Sequence, residues 1–157
     1  VGIIKNYQEL NVNRQRRIAL DVIEAGLAAI ATEKVLAANV SVAGSRLAIA
    51  GRQFNLNKVK QVKVVAVGKA AWAAAKFLEQ KLGRTLSSGM ALGLEPKGRL
   101  KKIQYFAGTH PWPSVANRDA SFRIVGALKG LTSDDLVIFV ISGGGLTLLS
   151  LSHDFSV

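Results

Sequence analysis

Hydrophobic and polar positions along this chain alternate between two periods. From Val62 to Val67 a β-branched run is interrupted by one lysine, which predicts a buried strand. Directly after it, Ala71, Ala74, Ala75, Leu78 and Leu82 recur at helical spacing while Lys76, Glu79, Gln80 and Lys81 stay polar, which predicts an amphipathic helix. The stretch from Val62 to Gly83 therefore reads as strand, turn and helix, and the rest of the chain is organised around it. Upstream, Asn13 can cap a helix running to about Ala38, with Ile18, Val22, Ala25, Ala29 and Val35 on one face. Gly26 inside it costs about 1 kcal/mol against alanine and offers a place for close packing. Arg46–Ala50 reads as a short strand closed by Gly51, and Arg52–Gln61 as a polar loop. Downstream, Ser88–Leu94 is a weak strand, Glu95–Lys102 a basic loop, and Lys102–Phe106 an alternating strand. Ser114 or Asn117 caps a helix to about Lys129, with Ala116, Ala120, Ile124 and Leu128 spaced four apart. Leu136–Ile141 has no polar interruption, as expected for a strand covered on both faces. Strands alternating with helices predict an α/β fold with a largely parallel sheet and flanking helices.

Composition narrows this picture. A length of 157 residues with 49% hydrophobic content suits one domain with a folded core, taken as residues 1–157. The absence of cysteine excludes a disulfide framework, a thiolate metal site and a cysteine nucleophile. The opening VGIIKNYQEL lacks the charge-then-apolar layout of a signal peptide. No apolar run approaches the ~20 residues needed to span a bilayer. The expectation is a cytoplasmic protein with no membrane partner. A formal charge of +11 attracts anions, but the cations are dispersed. Arg14, Arg16 and Arg17 open a helix, Lys58, Lys60 and Lys63 precede a strand, and Lys97, Arg99, Lys101 and Lys102 crowd a turn. Each group reads first as a solvated face, and aromatic interleaving is lacking, so no specific nucleic-acid partner is expected.

Candidate chemistry lies in three places. Gly68-Lys69-Ala70-Ala71 joins the central strand to its helix, where Gly68 permits close backbone approach and the helix start favours an anion. One glycine before the lysine is too few for a Walker loop, and a tight turn with a solvated lysine reads these four residues equally well. The loop Gly108–Ser114 presents His110 between two prolines, Pro111 and Pro113, that exclude regular structure. An imidazole there can orient a substrate or a phosphate; a histidine bonded to nearby backbone is the somewhat better reading of the loop alone. Finally, Ser142-Gly143-Gly144-Gly145 follows the apolar strand and permits a concave ring of backbone N–H groups, with Ser142 as an added donor. Both GKAA and SGGG follow strands, so both belong at the carboxyl edge of a parallel sheet, where ligands bind.

These residues also carry a resemblance. Arg17–Leu20 with Glu24–Ala29, then VGKAA (67–71), GTHPWP (108–113) and DDLVIFVISGGG (134–145) resemble the class II glycerate 2-kinase family, in order, from about residue 14 to 149. The resemblance implies ATP- and magnesium-dependent phosphorylation of D-glycerate at the 2-hydroxyl. It also implies a Rossmann-like N-terminal domain and a MOFRL-type C-terminal domain, with the active site in the cleft between them. By position, Lys69 matches the family's functional lysine. Gly68, Ser142, Gly143, Gly144 and Gly145 match its phosphate- and substrate-binding loops, and His110 with Pro111 matches the loop lining the cleft. No metal ligand is assigned. Two departures stand out: Leu146-Thr147 where the family continues with Ser-Ala, and Ser114 where it has aspartate. Family members are also much longer. The expectation is an incomplete domain whose partners are glycerate, nucleotide and a missing C-terminal half in cis or in trans, inactive alone, with homo-oligomerisation left open. The alternatives are a non-catalytic nucleotide- or phosphate-binding module and, on charge alone, a basic nucleic-acid binder.

Overall fold

The computed structural model describes residues 2–151. Three helices come first: α1 (Tyr7–Leu10), α2 (Arg14–Ala29) and α3 (Thr32–Asn39). Three short strands follow, β1 (Val40–Ala43), β2 (Arg46–Ile49) and β3 (Arg52–Asn55), paired antiparallel in that order. The remaining elements are β4 (Gln61–Val67), α4 (Ala71–Leu82), β5 (Leu86–Gly93), β6 (Ile103–Ala107), α5 (Val115–Leu128), β7 (Asp135–Ile141) and α6 (Gly145–Leu148). Here the strands form a second sheet in the order β6-β5-β4-β7, and every neighbouring pair is parallel. The expected α/β class holds. Among the described residues no helix is long and apolar enough to cross a membrane.

The central strand shows why its sequence is a continuous apolar run. Val62, Val64 and Ala66 pack against Ala71, Ala74, Ala75, Leu78 and Leu82 of α4. Val65 and Val67 point the other way, into Ala120 and Ile124 of α5 and Leu148 of α6. A strand buried on both faces has no position to spare for a polar residue. Alanines on the inner face of α4 bring that helix close to the sheet, and full burial of Leu78 contributes about 2 kcal/mol.

Four sequence expectations need correction. The helix expected from Asn13 to Ala38 is two helices, α2 and α3. Asn13 does cap the first, its side chain accepting from the Arg16 N–H at 2.9 Å. But Ala31 adopts ψ 129, which ends the hydrogen-bond ladder, and α3 then turns so that Leu36 packs on the core beside α4. Helix periodicity survives such a break, because both halves remain amphipathic. Secondly, the face expected inward on α2 is open: Ile18 is 53% and Val22 66% exposed, and the buried residue is Leu20. That helix packs chiefly on α1 and α3, so nothing among the described residues covers the other side. Gly26 has open space around its Cα, so no close packing explains it. Thirdly, Arg52–Gln61 is not merely loop; it contains β3, and the unread β1 completes the small antiparallel sheet. The strands are four residues each, too short to display alternation. Lastly, β7 is covered fully on one face only: on the other, Val137 packs on the α5 cluster but Phe139 and Ile141 are exposed, because α5 lies mainly over β5 and β6.

Candidate functional site

Strand order positions the site. From β4 the chain moves outward to β5 and β6, then crosses back to lay β7 on the other side of β4. The loops leaving β4 and β7 therefore emerge side by side, with no intervening strand, at the carboxyl edge where the sheet changes direction. That is where open α/β sheets form a crevice for ligands.

The two loops are stitched together. The Ser142 N–H donates to the Val67 carbonyl at 2.9 Å, and the Lys69 N–H donates to the Gly143 carbonyl at 2.9 Å. The Ala70 N–H donates to the Ser142 hydroxyl oxygen at 3.0 Å, and that hydroxyl reaches the Val67 carbonyl at 3.3 Å. Ser142 thus spends its side chain inside the protein, clamping one loop to the other. Gly68 makes this possible. It has φ +118, and a Cβ there would strike the Ser142 hydroxyl and stand 2.5 Å from the Ser142 carbonyl oxygen. The same contacts consume the first N–H groups before α4, so this helix start is less open to an anion than its sequence suggests.

The glycine loop and the histidine loop converge on Lys69. Gly144 has φ +83; a Cβ on it would stand 3.0 Å from His110 Cδ2, 3.2 Å from Nε2 and 3.4 Å from Lys69 Cε. Lys69, His110 and Gly144 are therefore neighbours, although 75 positions separate the first from the last. Gly145 is buried, and a Cβ there would stand 3.1 Å from Ile141 Cγ2. Gly143 meets nothing within 4 Å. The N–H groups of Gly143 and Gly144 make no backbone hydrogen bond among the described residues, which leaves them free to receive anion oxygens. Pro111 follows a cis peptide bond, is exposed, and does not line the cavity that holds Lys69 and His110.

Asn117 was legible in the sequence only as a helix cap; here it is fully buried and holds the histidine loop. Its Oδ1 accepts from the Thr109 N–H at 2.8 Å and from the Ser114 N–H at 3.2 Å. Its Nδ2 donates to the Thr109 carbonyl at 2.9 Å and to the Thr147 carbonyl of α6 at 3.1 Å. One amide thereby ties the loop bearing His110 to the helix that follows the glycines. An asparagine three residues after a capping serine was the available signal, but its tertiary partners were not.

Lys69 and His110 face a cavity of about 780 Å³ whose other walls include Trp72, Lys76, Lys97 and Tyr105. Trp72 and Tyr105 meet edge to face at 5.2 Å. The sequence reading missed Trp72 because an aromatic within an apolar helix pattern reads as core. Gly143, Gly144 and Gly145 line a separate hollow of about 500 Å³ with Ile141, Leu146 and Leu149. The glycine loop is thus the partition between the two. Ammonium, imidazole and amide donors suit phosphate oxygens, and Glu33 and Glu95 also line the cavity, as the carboxylates that a hard cation would want. Among the described residues, no cluster of acidic or histidine side chains forms a metal site.

A family profile described as a domain of unknown function (DUF4147) matches residues 18–155. The chain belongs to that family. A glycerate 2-kinase of Pyrococcus horikoshii is 29% identical over 146 residues, which cover 87% of this DUF4147 chain and 32% of the relative. A putative hydroxypyruvate reductase of Agrobacterium vitis is 38% identical over 90 residues, covering 55% and 23% respectively. The crystal structure of the PH0495 protein from Pyrococcus horikoshii OT3 superposes with a TM-score of 0.75 at 26% identity, covering 89% of this chain and 31% of that one. The DUF4147 chain thus spans between 23% and 32% of the length of these relatives.

Proposed function

We propose that this DUF4147 chain forms the phosphate-side wall of a glycerate 2-kinase active site, in which D-glycerate is phosphorylated at its 2-hydroxyl by ATP. The observation that carries the reading is the meeting of Lys69, His110 and Gly144 where β4 and β7 diverge. Phosphoryl transfer depends on positioning and on charge placed where it develops. Lys69 supplies that charge, the N–H groups of Gly143 and Gly144 receive phosphate oxygens, and His110 orients the acceptor or the phosphate. Gly68 and Ser142 keep the two loops in register. In the reaction the glycerate 2-hydroxyl oxygen bonds to the terminal phosphorus, the bond to the ADP oxygen breaks, and the hydroxyl proton passes to solvent. Magnesium would enter with the nucleotide, Glu33 and Glu95 being the carboxylates in the cavity wall that could hold it beside the phosphates, and no step is assigned to it. A MOFRL-type second domain, in cis or in trans, would supply the opposite wall.

One observation favours a second reading, a phosphate- or nucleotide-binding module without catalysis. Leu146 is 96% exposed directly beside the glycine loop, at the position where the resemblance expects serine. Titration calorimetry with ATP and with orthophosphate, on protein of intact far-UV circular dichroism, tests what the two readings share. Weak binding that fades with salt and is weakened by Lys69→Ala is expected; no binding at low salt overturns both. A coupled assay separates them only when the second wall is supplied. This chain alone is expected to form no 2-phosphoglycerate, since misplacement by about 1 Å can cost ~100-fold. Turnover abolished by Lys69→Ala would mean that no second wall is needed.

A further inference from the structure

The exposed side of α4 and the loop before β6 enclose a groove of about 580 Å³ that the phosphate loops do not explain. Five cations line it: Lys76, Arg84, Lys97, Arg99 and Lys101. None of them has an ion-pair partner among the described residues. A sixth, Lys102, is occupied, its ammonium donating to the carbonyls of Gly83, Arg84 and Leu86. Glu79 is the one carboxylate in the groove, and its hydrogen bonds go to the backbone. It accepts from the N–H groups of Lys101, Lys102 and Ile103 at 2.6 to 3.0 Å. Burial raises the Glu79 pKa, but these three donors and the Lys101 charge outweigh it and hold the carboxyl below its ordinary value. The basic loop is thereby pinned to α4 with its positive side chains left over.

This groove is continuous with the candidate site. Trp72, Lys76 and Lys97 line both the groove and the cavity that holds Lys69 and His110. From Trp72 to Gly83 it follows roughly 16 Å of the α4 axis at 1.5 Å per residue. A single tetrahedral anion cannot reach cations spread over that length, whereas a chain of linked phosphates can. We propose that the groove binds the oligophosphate chain of the phosphoryl donor, with the reacting end at Lys69 and the remainder laid along α4. The proposal rests on the kinase reading above and adds the direction in which the donor lies.

The test is calorimetry on the whole chain at low salt with tripolyphosphate, ATP and orthophosphate. The variants are Lys69→Ala and the triple change Arg84→Gln, Arg99→Gln and Lys101→Gln, all at exposed positions of which the last three line the groove and not the cavity, checked by circular dichroism. Tripolyphosphate is expected to bind about tenfold or more tighter than orthophosphate, since one charge-assisted contact is worth about that factor. The triple variant should lose that advantage while keeping orthophosphate affinity, and Lys69→Ala should weaken orthophosphate. ATP tighter than tripolyphosphate supports a nucleoside triphosphate as the source; equal affinities support a free oligophosphate. Tripolyphosphate no tighter than orthophosphate, or a triple variant without effect, overturns the groove assignment and leaves the kinase reading standing. Orthophosphate binding untouched by Lys69→Ala counts against the kinase reading instead. A single-stranded oligonucleotide that binds tighter than tripolyphosphate at physiological salt, and is lost in the triple variant, overturns the proposal in favour of a nucleic-acid backbone.

Discussion

β4 and β7 lie side by side, parallel and in register from Gln61 opposite Asp135 to Val67 opposite Ile141. Their sequences, QVKVVAV and DLVIFVI, read almost alike. Their surroundings do not. Val64 is 0% and Val65 4% exposed, one on each face of β4. On β7, Ile138 is 6% exposed on the α4 side, while Phe139 and Ile141 on the other side are 54% and 73% exposed. The difference lies in what crosses each face: α4 serves both strands, but α5 lies toward β5 and β6, on the far side of β4 from β7, and α6 is too short to extend the cover. The lesson is that an apolar strand records what a face is fit to meet, while the helix connections decide what it meets. Together with Ile18 and Val22 on α2, the β7 face is apolar surface of the kind that associates.

The comparison can be broken where the two regions should differ most. Leu78→Ala removes a fully buried side chain beneath β4 and is expected to cost about 2–5 kcal/mol, read as a lowered urea midpoint. A loss under ~1 kcal/mol would mean that the α4 side is packed no better than the open face of β7. Asn117→Leu tests the polar pin between the regions and should cost about 1–3 kcal/mol, because the N–H groups of Thr109 and Ser114 and the Thr147 carbonyl lose their partner. The His110 ring resonances should shift in the same variant, since the loop holding them is released; unchanged resonances would show that the loop is held elsewhere. Ile141→Lys is the smallest expected effect, within about 0.5 kcal/mol of the parent. It should also lower self-association in sedimentation measurements. A cost matching that of Leu78→Ala would show that the outer face of β7 is covered in solution.

Much of the site was legible because its residues impose local geometry. Gly68 and Gly144 adopt positive φ, which side chains resist, so a glycine directly after an apolar strand marks a sharp turn whatever surrounds it. Lys69 and His110 could be nominated as chemistry in the same way, from residue type and a proline-bounded loop. What they touch could not. That the Ser142 hydroxyl is spent on Ala70 and Val67, rather than offered to a ligand, depends on two loops 72 residues apart in the chain meeting across a crossover. Asn117 and Trp72 escaped for a related reason, since capping and core roles account for them locally and their further partners are tertiary.

The chain itself determined that there would be a buried strand at residues 62–67, an amphipathic helix after it, and glycine-rich turns after two apolar strands. Each follows from short-range physics: side-chain periodicity, helix and strand propensity, and the backbone freedom of glycine. Only the tertiary structure decided the strand order β6-β5-β4-β7, and with it the meeting of Lys69, His110 and Gly144. It alone split the first long helix, left α2 and the outer face of β7 uncovered, and joined the basic groove to the site at Trp72. Those outcomes rest on contacts between segments far apart in sequence. Local periodicity is satisfied equally by a face that is buried and by one that is not.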